Sequence, residues 1–295
     1  MLSTSTRKRI RAVVPWWSKG ALKLSLARLP LGYPVLRRLA LAQHGDMQSP
    51  AAAFAVFKRH FDSVDFHNKF GGFRVLELGP GDSLFTALIA AAHGAASTCL
   101  VDVSDFAGST LPDFRRMASY LSEQGLTGPD ISAAKTVDEV MQLCHATYEV
   151  GGLDPLRALP DESFDFIFSN AVVQAIWREQ VLPTLKELRR LIHPQGCSVH
   201  SIDLRDMLDQ SLQHLRFSEK FWESNLIRTS GFYVNRFRLT ELQDLSRDAG
   251  FEPRLDEVNR WPRVPLPRRK LTEPYQHMPE EELQVATIRL VLAPA

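Results

Sequence analysis

An acid, two glycines and a second acid stand close together in Glu77-Leu78-Gly79-Pro80-Gly81-Asp82-Ser83, at the end of the apolar run that begins Phe73-Arg74-Val75-Leu76. The run reads as a strand ending at Gly79, with a helix starting at about Ser83, so Glu77 sits on the last turn of the strand and the glycines form the bend. Glycines at such a bend let a ligand touch the backbone. A dinucleotide fingerprint wants a third glycine three residues beyond the second, where this chain has Leu84. Glu77 would also repel a pyrophosphate; it suits a ligand that carries an ammonium and a sulfonium near a nucleoside. Asp102 ends the next apolar run, Thr98-Cys99-Leu100-Val101, 23 residues after Gly79. From there a carboxylate can accept both ribose hydroxyls in charge-assisted hydrogen bonds. Each piece alone also fits a tight loop or a helix cap. Their combination points to S-adenosylmethionine.

Methyl transfer from such a donor is an in-line displacement, and a hydroxyl or amine acceptor must also lose a proton. His200, beside Ser201 and Asp203 on the strand that starts at Cys197, is the first candidate for that base, with Asp203 or Asp206 second. Strand side chains alternate, so His200 and Asp203 point to opposite faces if the strand stays straight, and a hydrogen-bonded, half-buried His200 is the competing reading. Three O or N ligands in His200-x-x-Asp203-x-x-Asp206 arise easily by chance, and no metal site is expected. Tyr233, Arg236 and Arg238 mix an aromatic ring with two cations; they form either one wall of an acceptor pocket for an anionic or sugar-like substrate, or a surface strand with solvated charges.

The elements that must position these residues alternate. After the first strand and its helix come the strand ending at Asp102, helices near 112–124 and 137–144, a weak strand near 147–150, and the aromatic strand Phe164-Asp165-Phe166-Ile167-Phe168-Ser169. A helix follows over 182–192, then a strand over 197–202. Thr240 with Gln243 has capping-box spacing for a helix that ends at Gly250, and strands follow over 251–258 and 284–292. The proline-rich stretch 261–270, with Arg263, Arg268, Arg269 and Lys270, reads as an extended loop. Alternating strands and helices predict a mostly parallel sheet covered on both faces, with ligands beyond the carboxyl ends of its strands.

The 295 residues carry 35 Lys+Arg against 34 Asp+Glu, yet nine of the cations lie in residues 1–45, which hold no acid before Asp46. The rest of the chain is therefore acidic, with 26 basic against 34 acidic side chains. That balance argues against a nucleic-acid groove. In the leader, Trp16, Trp17 and several leucines alternate with Lys and Arg and are interrupted by Pro15, Pro30 and Pro34, which predicts short amphipathic helices. Three readings stand for it: a cap on the core, a peripheral membrane contact through residues 1–45, and an organellar transit segment. The longest apolar run, 84–92, is about half the length a membrane-spanning helix requires. Cys99, Cys144 and Cys197 are widely spaced and suggest a reducing, cytoplasmic setting.

Residues 73–292 resemble the class I S-adenosylmethionine-dependent methyltransferases, through Val75-Leu76-Glu77-Leu78-Gly79-Pro80-Gly81, Asp102, Leu159-Pro160-Asp161-Glu162-Ser163-Phe164-Asp165 and the stretch 185–196. The resemblance implies a Rossmann-like α/β fold: a seven-stranded, mostly parallel sheet with an antiparallel last strand, here over residues 71–295, behind a basic helical extension over 1–70. It places the cofactor S-adenosylmethionine over the first, second and fourth strands. Glu77, Gly79, Gly81 and Asp82 then map to the loop around its methionine portion, Asp102 to its ribose, and Asn170 to the position after the fourth strand, near the reacting methyl. The chain departs from the pattern there, since many small-molecule enzymes of this class have Glu-His where this chain reads Asn170-Ala171-Val172-Val173-Gln174. Ser83 also stands where a third glycine is common. The expected activity is methylation of a small molecule or a glycan or lipid-linked sugar, with oxygen as the first choice of acceptor atom. The rivals are a non-catalytic S-adenosylmethionine-binding scaffold and a nicotinamide-dependent oxidoreductase.

Overall fold

The computed structural model describes residues 15–26, 28, 47–65 and 72–295. The leader cations Arg7, Lys8, Arg9, Arg11, Arg37 and Arg38 lie outside the described residues. Among the described residues, two helices, α1 (Trp16–Leu26) and α2 (Pro50–Phe61), precede the sheet. Then come β1 (Phe73–Leu78), α3 (Phe85–Ala92), β2 (Ala95–Asp102), α4 (Leu111–Glu123), α5 (Val137–Leu143), β3 (Ala146–Val150), α6 (Leu153–Ala158) and β4 (Phe164–Asn170). The chain continues through α7 (Val181–Leu191), β5 (Ile192–Asp203), α8 (Leu239–Asp248), β6 (Phe251–Arg260) and β7 (Val285–Pro294).

The seven strands order as β3-β2-β1-β4-β5-β7-β6. β1 to β5 pair in parallel, and β7 runs antiparallel to both β5 and β6. The order reverses between β1 and β4, and in open α/β sheets a ligand crevice forms at the carboxyl ends of the strands at such a switch point.

Each face of the sheet has its own core. On one face α2, α3 and α4 cover Val75, Leu100, Phe166, Phe168 and Val199; on the other α6, α7 and α8 cover Leu76, Val101, Ile167, Ile202 and Leu290. β1 and β4 are therefore apolar nearly throughout rather than alternating, as strands buried on both faces are. α7 buries Val181, Thr184, Leu185, Leu188 and Leu191, a helical stripe at three- and four-residue spacing. α2 lies before the boundary expected at residue 71, yet it packs into the same core: Phe57 meets Phe166 and Phe168 edge-on, with ring centroids 6.2 and 5.7 Å away.

Residues 204–238 leave the carboxyl end of β5 and fold into a roof around Trp222, Ile227, Phe232, Tyr233 and Val234, locked by Trp222 Nε1 donating to the Val234 carbonyl at 2.7 Å. The roof is tied to the loop after β4. Asn235 donates its amide N–H to the Gln174 carbonyl at 2.8 Å and its Nδ2 to the Val173 carbonyl at 2.7 Å. The proline-rich stretch 261–270 is a loop with one short 3₁₀ turn, Arg268–Lys270, and Leu266 and Leu271 pin it to Leu212 and Leu215 of the roof. The capping box expected at Thr240 sits elsewhere, because the helix begins at Leu239: Glu241 accepts the N–H of Arg238 at 3.0 Å, while the Thr240 hydroxyl turns to Glu282.

Candidate active site

Strand β1 delivers Glu77 between Leu100 of β2 and Phe168 of β4, so the carboxyl is buried by its neighbours in the sheet. Thr86, on the first turn of α3, hydrogen-bonds it, but Oε2 has no partner. Burial is the main force that pushes the Glu77 carboxyl up to about 8, and the nearby charge of Asp102 adds to it. A carboxyl held this way is neutral without a cation and ionises when an ammonium arrives, because the charge pair then replaces the lost hydration.

Gly79 does more than expose backbone. Its φ is +67°, and a Cβ there would collide with Val172 Cγ2, so the missing side chain is the space that Val172 fills. The bend after β4 sends Val172 there. Ala171, with φ +58°, is held in the left-handed region by donating its N–H to the Ser201 carbonyl at 2.8 Å. Asn170, the last residue of β4, stands half-buried at this bend, so the ends of β1 and β4 lock through Gly79 and Val172.

Gly81, φ +64°, donates its N–H to Asp102 Oδ2 at 3.0 Å, and Val103 donates to Asp102 Oδ1 at 2.7 Å. The carboxylate expected to hold a ribose thus also shapes the glycine bend. A carboxylate offers about four acceptor positions, so shaping the bend is compatible with receiving hydroxyls. The Asp82 carbonyl accepts the N–H of Gly108 at 3.2 Å, and Leu84 donates to Ser109 Oγ at 3.0 Å, which fastens the bend to the loop after β2. Glu77, Gly79, Gly81, Asp82, Asp102 and Asn170 therefore converge at the carboxyl ends of three adjacent strands. The residues present fit S-adenosylmethionine: an unpartnered buried carboxyl oxygen suits its ammonium, and a second carboxylate on the neighbouring strand suits its ribose.

The other expected site residues lie elsewhere. His200 is enclosed, with Nδ1 2.8 Å from Ser169 Oγ and Nε2 2.8 Å from Ser198 Oγ, and burial lowers it to about 3. An imidazole in that setting stays uncharged near neutrality, with one N–H, and has both nitrogens engaged. Asp203 ends β5 partly exposed, gripped by Arg205 through Nε to Oδ1 and Nη2 to Oδ2, both 2.8 Å. Asp206 is buried and accepts four backbone N–H groups, those of Leu208, Asp209, Ser211 and Gln213, which makes it the organiser of its loop.

Tyr233, Arg236 and Arg238 are neither a surface strand nor an open pocket wall. Tyr233 donates its hydroxyl to Glu223 at 2.8 Å. Arg236 is buried, donates to the Phe217 carbonyl at 2.9 Å and lies 4.0 Å from Glu223. Arg238 is buried too. Its guanidinium donates to the carbonyls of Leu204, Glu282 and Val285 at 2.8, 2.9 and 2.5 Å, and burial lowers it to about 10. Arg238 ties the end of the roof to the start of β7, while Arg236 braces the roof from within. Among the described residues no group of three His, Cys, Asp or Glu could hold a metal ion, and no helix is long and apolar enough to cross a membrane.

Two contributors escaped the sequence reading. Val172 carries no chemical signal and is recognisable only through its contact with Gly79. His60 accepts Ser201 Oγ on Nε2 at 2.9 Å while its Nδ1 donates to the Val56 carbonyl at 2.7 Å, which ties α2 to the level of Asn170; a lone histidine on an otherwise apolar helix face was the only hint.

Residues 36–255 match the sequence model of a family described as "Methyltransferase domain". No curated protein matches the chain in sequence. Among solved structures, the chain is similar to an S-adenosylmethionine-dependent methyltransferase from Mesorhizobium loti, at 17% identity and a TM-score of 0.44, covering 80% of this chain and 95% of that one. A methyltransferase of the same dependence from Archaeoglobus fulgidus gives 13% identity and a TM-score of 0.44 over 83% of this chain and 94% of that one. The CurJ carbon methyltransferase gives 15% identity and a TM-score of 0.40 over 76% of this chain, which spans 49% of that one. With the family model covering most of its length, the chain belongs to the methyltransferase-domain family, the class I methyltransferases that use S-adenosylmethionine.

Proposed function

We propose that the protein methylates an oxygen of a small-molecule or sugar acceptor, the sugar being part of a glycan or a lipid-linked precursor. The observation that carries the donor half is the unpartnered, buried Oε2 of Glu77 beside Asp102. Bound S-adenosylmethionine supplies an electrophilic methyl group on a sulfonium. Glu77 binds the positive end of that donor, and Asp102 orients its ribose while holding the glycine bend in shape. The acceptor enters under the roof, where Asn170, Gln174 and Asp203 line the ends of β4 and β5, and Gln174 Oε1 faces the Asp203 N–H at 3.4 Å. Asp203 is the base in this reading, since it is partly exposed whereas His200 is enclosed. Arg205 fixes the orientation of its carboxylate. A carboxylate suffices because a hydroxyl needs to give up its proton only as the new O–C bond forms. Arg236 braces the roof from within and Arg238 ties its end to β7.

The test is transfer of labelled methyl to a panel of hydroxyl, amine and carbon acceptors by wild type and Asp203→Asn. Transfer to a hydroxyl, lowered roughly 10²- to 10⁴-fold by the substitution with donor affinity intact, is the expected result. Transfer confined to amine or carbon acceptors would dismiss the oxygen assignment, and an Asp203→Asn enzyme of full activity would remove that residue from the chemistry.

A further inference from the structure

Helix α1 shows its two faces unequally. Trp16, Gly20 and Leu24, spaced one helical repeat apart, face the roof: the Trp16 ring meets Phe217 edge-on at 6.0 Å, Leu24 joins the cluster around Trp222, and Gly20 lies so close to Leu208 that a Cβ would stand 3.4 Å from Leu208 Cδ1. Lys19 turns the same way, 3.6 Å from Asp209, and Lys23 is half-buried. The face left to solvent holds Trp17, 62% exposed, and Leu22, 61% exposed, with Ala21 and Ser25 between them and no charge. A helix serving only to cap a core turns its polar residues outward instead. The apolar surface continues onto the roof, where Phe217 packs on Phe221 at 5.3 Å and Phe221 is 41% exposed beside the exposed Lys220.

The sequence around this patch is one-signed. Residues 1–45 contain nine Lys and Arg and no acid, with four of the cations, Arg7, Lys8, Arg9 and Arg11, just before α1. Pairing two copies through the patch would bring these like charges together. A surface of anionic headgroups over an apolar interior complements both features: Trp and Leu enter the interface, and the cations are drawn to phosphate. Neither term anchors a protein firmly alone, and the two add.

We propose that the outward face of α1, with Phe221 beside it, docks the protein on an anionic lipid bilayer. The roof beneath α1 continues directly from the carboxyl end of β5, which ends at Asp203. The proposal is independent of which acceptor is methylated.

The experiment is sedimentation of the full chain with vesicles of phosphatidylcholine alone and of phosphatidylcholine mixed with phosphatidylglycerol. Binding to the mixed vesicles, weakened by added salt and absent on the neutral ones, is expected. Trp17→Ser with Leu22→Ser removes two side chains from the outward face and should reduce binding roughly tenfold or more with unchanged circular dichroism and Tm. Ala21→Lys should keep binding and Ala21→Glu should lose it, a contrast that a merely unfolded helix would not produce. Failure to bind the mixed vesicles, equal binding by the double variant, equal binding by the two Ala21 variants, or a concentration-dependent dimer that the double substitution dissolves would each overturn the proposal.

Discussion

Replacing Glu77 by Gln keeps the shape of the side chain and removes its ability to ionise, and the structure sets what should follow. Burial raises this carboxyl from the ordinary 4.5 to about 8 in the folded chain. Between those two values the folded state keeps a proton that the unfolded state has lost, so stability falls as pH rises from 4.5 and levels off above 8. At pH 7 the cost is about 3 kcal/mol, which corresponds to roughly 6 to 12 °C in Tm for a domain of this size. Glu77→Gln is free of that cost. In thermal scans from pH 5 to 8, wild type should lose stability with rising pH by more than the variant does, and at pH 7.5 the variant should melt several degrees higher. Donor binding reverses the advantage: an ammonium beside Oε2 ionises the carboxyl, so close to one proton is released at pH 7 and the wild-type Kd improves by about tenfold from pH 6 to pH 7. Calorimetry in buffers of different ionisation enthalpy measures that proton. Identical pH–stability slopes for the two proteins, or binding with no proton released, would refute the reasoning.

Asp102→Ala should weaken donor affinity by about 1.5 to 3 kcal/mol, the usual loss for a charged hydrogen bond, and should also lower Tm because the Gly81 and Val103 amides lose their acceptor; unchanged affinity by calorimetry would retire the ribose assignment. Gly79→Ala should destabilise by about 2 kcal/mol or more, since its φ is +67° and the new methyl meets Val172; adding Val172→Ala should recover part of that loss, and a strictly additive double variant would disprove the contact. His200→Ala should cost about 1 to 3 kcal/mol of stability by stranding Ser169 and Ser198, yet keep turnover within a few-fold of wild type at temperatures where it is folded, and a large loss of kcat with unaltered stability would return His200 to the chemistry.

The glycine bend and the two acids were legible because strand, turn and helix follow one another within a few residues, where local preference and chemistry coincide. β3 was readable though short, and the antiparallel last strand followed from the resemblance. Long-range pairing was not legible. Arg238 reads alike in sequence whether it meets a substrate or staples backbone, and its three carbonyl partners lie 34 to 47 residues away. α2 was obscured by the cationic leader before it, although Ala53, Phe54, Val56, Phe57 and His60 form a helical stripe that belongs to the core. The competing readings of His200 turned on burial, which depends on Ser169 arriving from the neighbouring strand. Asp102 shows the opposite lesson: the sequence assigned it to a ligand, and the fold uses the same carboxylate to shape the bend that would receive that ligand.

The most direct test of the donor site is a high-resolution structure of the protein with S-adenosylmethionine bound. The expected density places the ammonium within hydrogen-bond distance of Glu77 Oε2 and the ribose hydroxyls on Asp102, with Gly79 and Gly81 holding their present bend. Donor bound elsewhere, with the bend empty and Glu77 Oε2 still unpartnered, would contradict the assignment.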